Sequence, residues 1–153
     1  MVEISGSVTV HRPLAEVQAQ FGDVAYHQRN GHHRGVTFRV VEETASCCRY
    51  EQETRVGPFR LVQQFRLQRD APHHQVNELL EGPFSPGSIT FDVVAEGADA
   101  ARVTATLRST RSGPTRIAAA LLRPALGRAL ETALEEDRID LESGAYARNS
   151  SAP

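Results

Sequence analysis

Residues 47–69 read CCRYEQETRVGPFRLVQQFRLQR, and an alternation with a period of two runs through both halves of the segment. Successive side chains of a strand point to opposite faces, so Phe59, Leu61, Gln63, Phe65 and Leu67 share one face of the second half, and Arg60, Gln64, Arg66 and Gln68 the other. In the first half Tyr50, Gln52, Thr54 and Val56 oppose Arg49, Glu51, Glu53 and Arg55. Gly57-Pro58 between the halves is a turn signal, and a link this short joins only antiparallel neighbours. The segment therefore reads as a hairpin with one apolar and one charged face.

The same texture extends outward. VTFRVVEE (36–43), HHQVNELLE (73–81), SITFDVVAE (88–96) and ARVTATLRS (101–109) are of strand length and are bounded by Gly, Pro, Asp and Ser clusters. Together with the hairpin they form a meander of six antiparallel strands. Ahead of them, ISGSVTVHRP predicts a strand from about Glu3 to His11. Leu14, Val17 and Phe21, after Pro13, predict a short amphipathic helix that Gly22 ends. A second short helical segment, DVAYHQRN, closes at Asn30-Gly31. Beyond Gly113-Pro114 a long helix is expected, with an inward stripe of Ile117, Leu121, Leu122, Ala125, Leu126, Ala129, Leu130, Ala133, Leu134 and Leu141. Pro124 predicts a kink or break near Arg123.

An α+β architecture follows, because a seven-stranded antiparallel sheet must cover its apolar face and the C-terminal helix is the only element large enough to do so. Space between a curved sheet and one helix is the physical basis of a ligand cavity. One ligand-binding domain is expected over residues 1–146, with a flexible tail over 147–153.

Composition narrows the function classes. The net charge is −2, and all 17 cations are arginines interleaved with glutamate, so no basic footprint for nucleic acid is present. No apolar run approaches the roughly 20 residues of a membrane-spanning helix, and the chain is expected to be soluble and cytoplasmic, without membrane insertion. The sequence carries no signal of oligomeric state. Cys47 and Cys48 are adjacent and read as strand residues rather than a disulfide. A glycine-rich phosphate loop ending in Gly-Lys is excluded by the absence of lysine, and there is no Gly-x-Ser-x-Gly.

The stretch SVTVHRPLAEVQAQFGDVAYHQ resembles the N-terminal signature of the START/SRPBCC helix-grip superfamily, including its polyketide cyclase/dehydrase-like and coenzyme-Q-binding-like branches. The residues that carry the resemblance are Val8, Pro13, Val17, Asp23, Val24 and Tyr26. It implies a seven-stranded curved sheet wrapped around a long C-terminal helix, with two short helices after the first strand. It further implies a hydrophobic or aromatic small molecule in an internal cavity. The function so implied is either polyketide-type cyclisation and dehydration or non-catalytic carriage of a lipid-like or polyketide ligand. A coenzyme-Q-binding-like interaction module is the third form. Where those branches carry aromatic or proline residues after the second helix begins, this chain reads HQRNGHH.

Strand parity then nominates site residues. Tyr50, Gln52 and Gln63 face inward. Reading Val76 and Leu80 as inward in HHQVNELLE places His74 and Glu78 beside them, while Ile89, Phe91 and Val93 face in from the next strand. An unpaired buried polar group costs roughly 1–3 kcal/mol, so an inward polar set implies mutual pairing or a wet or ligand-filled cavity. The alternative is that His74 and Glu78 are exposed at an edge or that a bulge shifts the parity. The expected substrate-binding residues are Gln52, Gln63 and His74, with Phe65, Phe91, Leu122 and Leu126 as apolar lining.

Three of the six histidines fall within AYHQRNGHHRG (25–35). An imidazole near its ordinary pKa of about 6.5 is suited to proton transfer, and His27 is the candidate base, with Tyr50 and Glu78 orienting the substrate or returning the proton; the alternative is a solvated polar turn in which Asn30-Gly31 matters for backbone shape alone. His27 with His32 or His33 and Glu78 also has the composition of a metal site. The spacing matches no metal motif, and neither a metal nor any other cofactor is assigned.

Overall fold

A computed structural model describes residues 1–150. The elements in chain order are β1 (Val2–Val10), α1 (Leu14–Gly22), α2 (Val24–Asn30), β2 (Val36–Glu43), β3 (Cys47–Val56), β4 (Phe59–Gln68), β5 (His74–Glu81), β6 (Gly87–Ala95), β7 (Ala101–Ser109), α3 (Pro114–Glu142) and α4 (Ala145–Asn149). All seven strands pair antiparallel in the order β1-β7-β6-β5-β4-β3-β2. Strands β2 to β7 thus form the expected meander, and β1 closes one edge against β7. The helices α1 and α2 link the two edges. No helix among the described residues is long and apolar enough to cross a membrane.

The sheet grips α3, and its apolar side chains fall into two groups. Tyr50, Phe65, Leu67 and Leu79 pack with Leu126 toward the β3–β5 side, while Val10, Val17, Val103 and Ala105 pack with Leu134 and Leu141 toward the β1–β7 side. Gly6 sets how closely α3 approaches β1. A Cβ there would lie 3.4 Å from Leu134 Cδ1 and 3.6 Å from Leu130 Cδ2, so the helix rests directly on the strand's backbone.

The short helices are fixed by local chemistry. Asp23 caps α2, its carboxylate accepting a 3.0 Å hydrogen bond from the Tyr26 backbone N–H, and Gly31 ends the helix at a left-handed φ of 58°. These are the Asp and Asn-Gly signals of the sequence, and they place His27 at the inner face of α2 and His32 and His33 just beyond its end.

The structure bears on the sequence expectations at four points. Pro124 lies inside α3 without breaking it, although a proline there leaves the Ala120 carbonyl without its helical donor. Ile117 and Leu121 are exposed, because the face that meets the sheet carries Ala119, Leu122 and Leu126 instead. The expected tail begins within α4, and its residues 151–153 lie outside the described residues. Strand β5 presents the opposite face to that expected. Gln75, Asn77 and Leu79 point inward, because Asn77 sits opposite Leu67 and Leu79 opposite Phe65, and cross-strand partners share a face.

Replacing Gly6 by valine drives methyl groups into Leu134 and Leu130. Gly6→Val is expected to destabilise the protein by about 1–3 kcal/mol, read as a lower urea midpoint with an unchanged slope.

Candidate functional site

Between α3 and the sheet lie two adjoining hollows of about 90 and 80 Å³ that share Val36, Gln52, Ile89, Leu130 and Ala133 in their walls. The first is lined further by Phe21, Phe38, Phe91, Tyr50, Asn77 and, at one end, His27, His33 and Asp137. The second holds Gln63, Phe84 and Leu126. A larger concavity of about 370 Å³ lies elsewhere, an open cleft between α1 and the β4–β5 turn lined by Gln18, Gly22, Arg69 and Gln75. It contains no cluster of imidazoles, and the inner hollows are the chemically equipped ones.

The nominated residues divide accordingly. Tyr50, Gln52, Gln63, Phe91, Leu126 and His27 line the hollows. Phe65 lies behind them, fully buried and stacked on Tyr50 at 5.2 Å, and Leu122 packs against the core without lining either hollow. Glu78 and His74 are on the outer face. Glu78 is exposed and paired with Arg66, and His74 is exposed and paired with Asp92, so neither meets His27. In their place Asn77 faces in, accepting a 2.7 Å hydrogen bond from the Tyr50 hydroxyl. Burial raises the Tyr50 pKa, and the phenol stays a protonated donor.

The polar centre is organised by α3. One oxygen of Asp137, Oδ1, is approached by four nitrogens: Gln20 Nε2 at 2.8 Å, His27 Nε2 at 3.0 Å, His32 Nε2 at 2.8 Å and His33 Nε2 at 3.2 Å. The two adjacent histidines reach one point because residues 31–33 are irregular rather than strand, and their rings lie 4.3 Å apart. The turn after α2 thus lets neighbouring histidines share one partner. Burial alone would raise the pKa of Asp137, but His27 and His33, with hydrogen bonds from His27 and His32, hold it well below the usual carboxylate range. Burial likewise opposes charge on His33, and Asp137 and Glu136 outweigh it, leaving the imidazole above its ordinary range. His27 is held at both nitrogens, since its Nδ1 donates to the Asp23 carbonyl at 2.8 Å.

A second carboxylate on α3 secures α2. Asp140 accepts from the Tyr26 hydroxyl at 2.9 Å and from Asn30 Nδ2 at 3.0 Å, and burial followed by Asp140 raises the Tyr26 pKa. Tyr146 of α4 donates to Asp23 Oδ2 at 3.1 Å and meets Tyr26 edge-on at 4.7 Å. Neither Asp137 nor Asp140 stands out in the sequence. Their signal was position alone, since Asp137 stands three residues after Leu134 and four before Leu141, on the stripe that faces the sheet.

No protein-family model matches the sequence, and no curated protein matches it. Solved structures share its fold. A protein of Thermus thermophilus superposes with a TM-score of 0.81 at 16% identity, covering 94% of this chain and 99% of that one. The Zhui aromatase/cyclase of Streptomyces gives 0.74 at 15% identity, covering 99% of each chain. A START superfamily protein of Mycobacterium smegmatis gives 0.59 at 18% identity, covering 88% of this chain and 97% of that one. The chain has a START/SRPBCC-like helix-grip fold.

Tyr26→Phe deletes a hydrogen bond to a buried carboxylate while keeping the ring. It is expected to lower unfolding free energy by about 1.5–3 kcal/mol, measured by urea denaturation, against a smaller change for Tyr146→Phe, whose partner Asp23 also caps α2.

Proposed function

We propose that the protein binds a compact hydrophobic or aromatic molecule carrying an oxygen substituent, held between α3 and the sheet. The observation that carries this reading is a pair of buried amide donors in walls that are mostly apolar. Gln63 Nε2 and Asn77 Nδ2 have no hydrogen-bond partner among the described residues. Leaving such groups unpaired costs roughly 1–3 kcal/mol each, and a carbonyl or hydroxyl of a ligand would recover it.

Volume limits the ligand. The two hollows are together comparable to the roughly 150 Å³ apolar cavity that takes up benzene and are smaller than the ~300–1,000 Å³ of drug-sized pockets. A one-ring molecule fits this arrangement better than an extended polyketide chain or a lipid.

The enzymatic form of this reading is cyclisation or dehydration of a polyketide-type substrate, the class suggested by likeness to an aromatase/cyclase. Imidazole and phenol groups in the walls favour it. His27 would have to release Asp137 or the Asp23 carbonyl before taking a proton, and Glu78 would have no part. The carrier form needs only the hollow and its amides.

Ala133 lines both hollows, and Ala133→Leu would fill them without adding a polar group. With phenol as the probe, the wild type should bind saturably by calorimetry. Ala133→Leu and Gln63→Met should each lose about tenfold or more in affinity, equivalent to about 1.4 kcal/mol, while remaining folded. Equal affinity in all three proteins would remove this reading. Conversion of a bound aromatic precursor to a product of altered mass separates the enzymatic form from the carrier.

A further inference from the structure

We infer that His27, His33 and Asp137 form a binding site for one divalent first-row transition-metal ion, with open coordination positions facing the hollow. The inference goes beyond ligand binding and rests on the geometry of the cluster alone.

The first observation is crowding. A carboxylate oxygen offers about two lone-pair positions, yet four nitrogens lie within 2.8–3.2 Å of Asp137 Oδ1. Neighbouring ligands of a single ion with bonds of about 2.0–2.2 Å keep separations of roughly 3 Å, which is the distance of the His27 and His33 nitrogens from Asp137 Oδ1. Donor atoms of His27, His32, His33 and Asp137 all fall within 4.8 Å of one another.

Tautomers select which of them bind. His27 donates its Nδ1–H to the Asp23 carbonyl at 2.8 Å, so Nε2, which donates to Asp137 while no ion is bound, is the nitrogen that would give up its proton to ligate one. His33 directs Nδ1 at the Glu136 carboxylate at 3.4 Å, and the backbone N–H of Arg34 fixes that carboxylate by a 2.9 Å bond. This is the outer support that metal-bound histidines commonly have. His32 differs. Its Nδ1 accepts from Asn30 Nδ2 at 2.9 Å, and the Asn30 amide cannot be reversed because the same nitrogen donates to Asp140 at 3.0 Å. His32 Nε2 therefore carries the hydrogen and donates to Asp137, holding the carboxylate rather than ligating.

A third observation agrees with this selection. His27, His33 and Asp137 are the members of the cluster that line the first hollow, and His32 is not among its walls. Two imidazoles and one carboxylate with remaining positions open toward a cavity suit iron(II) or zinc, and the oxygen-preferring magnesium and calcium ions do not suit such a set. The ion would offer a bound molecule's oxygen a Lewis-acidic contact at the head of an apolar hollow.

The test uses the full chain, stripped with chelator and then dialysed against Zn²⁺, against Fe²⁺ without oxygen, or against Co²⁺, with metal counted by mass spectrometry. One equivalent retained, a rise in Tm, and cobalt absorption of a four- or five-coordinate nitrogen/oxygen site are expected. The zinc and iron arms identify the preferred ion. His27→Ala and His33→Gln should each abolish stoichiometric retention. His32→Ala and Glu136→Gln, which remove supporting contacts, should weaken it by about 10–100-fold. His74→Ala, on the outer face, should leave retention unchanged. Circular dichroism verifies each fold, and Glu136→Gln serves if a ligand variant does not fold. Failure of the wild type to retain metal, or equal retention by His27→Ala, His33→Gln and Glu136→Gln, overturns the inference. Because no organic ligand is present, that result leaves the phenol measurement standing.

Discussion

A single buried carboxylate joins the parts of this molecule that the sheet does not. Asp137 gathers Gln20 from α1, His27 from α2, and His32 and His33 from the segment before β2 onto the long helix. A charge removed from water is costly unless paired and hydrogen-bonded, so the cluster is stable only with all its members in place. That dependence makes the two short helices part of the core. They would otherwise rest on a modest apolar contact, chiefly Val17, Phe21 and Val24. Asp140 repeats the device one turn on with Tyr26 and Asn30, and Tyr146 locks the N-terminus of α2 from the far side.

The scaffold was legible in the sequence because its signals are local. Period-two alternation and Gly-Pro, Asp-Ala-Pro and Gly-Ala-Asp punctuation placed β2 to β7 to within a residue at each end. The cap at Asp23 and the glycine at Gly31 bounded α2 in the same way. Gln63 and Tyr50 were read as inward from residues within their own strands, and they lie there.

The site was only half legible, for reasons specific to its residues. Strand β5 carries Val76, Leu79 and Leu80, apolar residues on both faces, so alternation leaves its parity open and does not separate Glu78 from Asn77. Its true register comes from pairing with β4, a long-range fact. In EEDRID, residues 135–140, carboxylates resemble the solvated face of a helix, and only their step from Leu134 to Leu141 marks two of them as inward. Their imidazole partners stand more than a hundred residues earlier, where no spacing rule reaches.

Hollow and cluster lie on one row of α3. Ala129, Ala133 and Asp137 follow one another at intervals of four, which stacks them along the same face. Where the sheet calls for a large side chain the helix offers two alanines, and the unfilled volume extends along that row until the carboxylate ends it. Any molecule seated there meets apolar walls along its length and the Asp137 cluster at its head. The two functions of the row are separable, since a larger residue at 133 closes the hollow while residue 137 still clamps α1 and α2. The apolar space and the polar head are therefore independent properties of adjacent turns, and their adjacency follows from helical period rather than from a shared fold requirement.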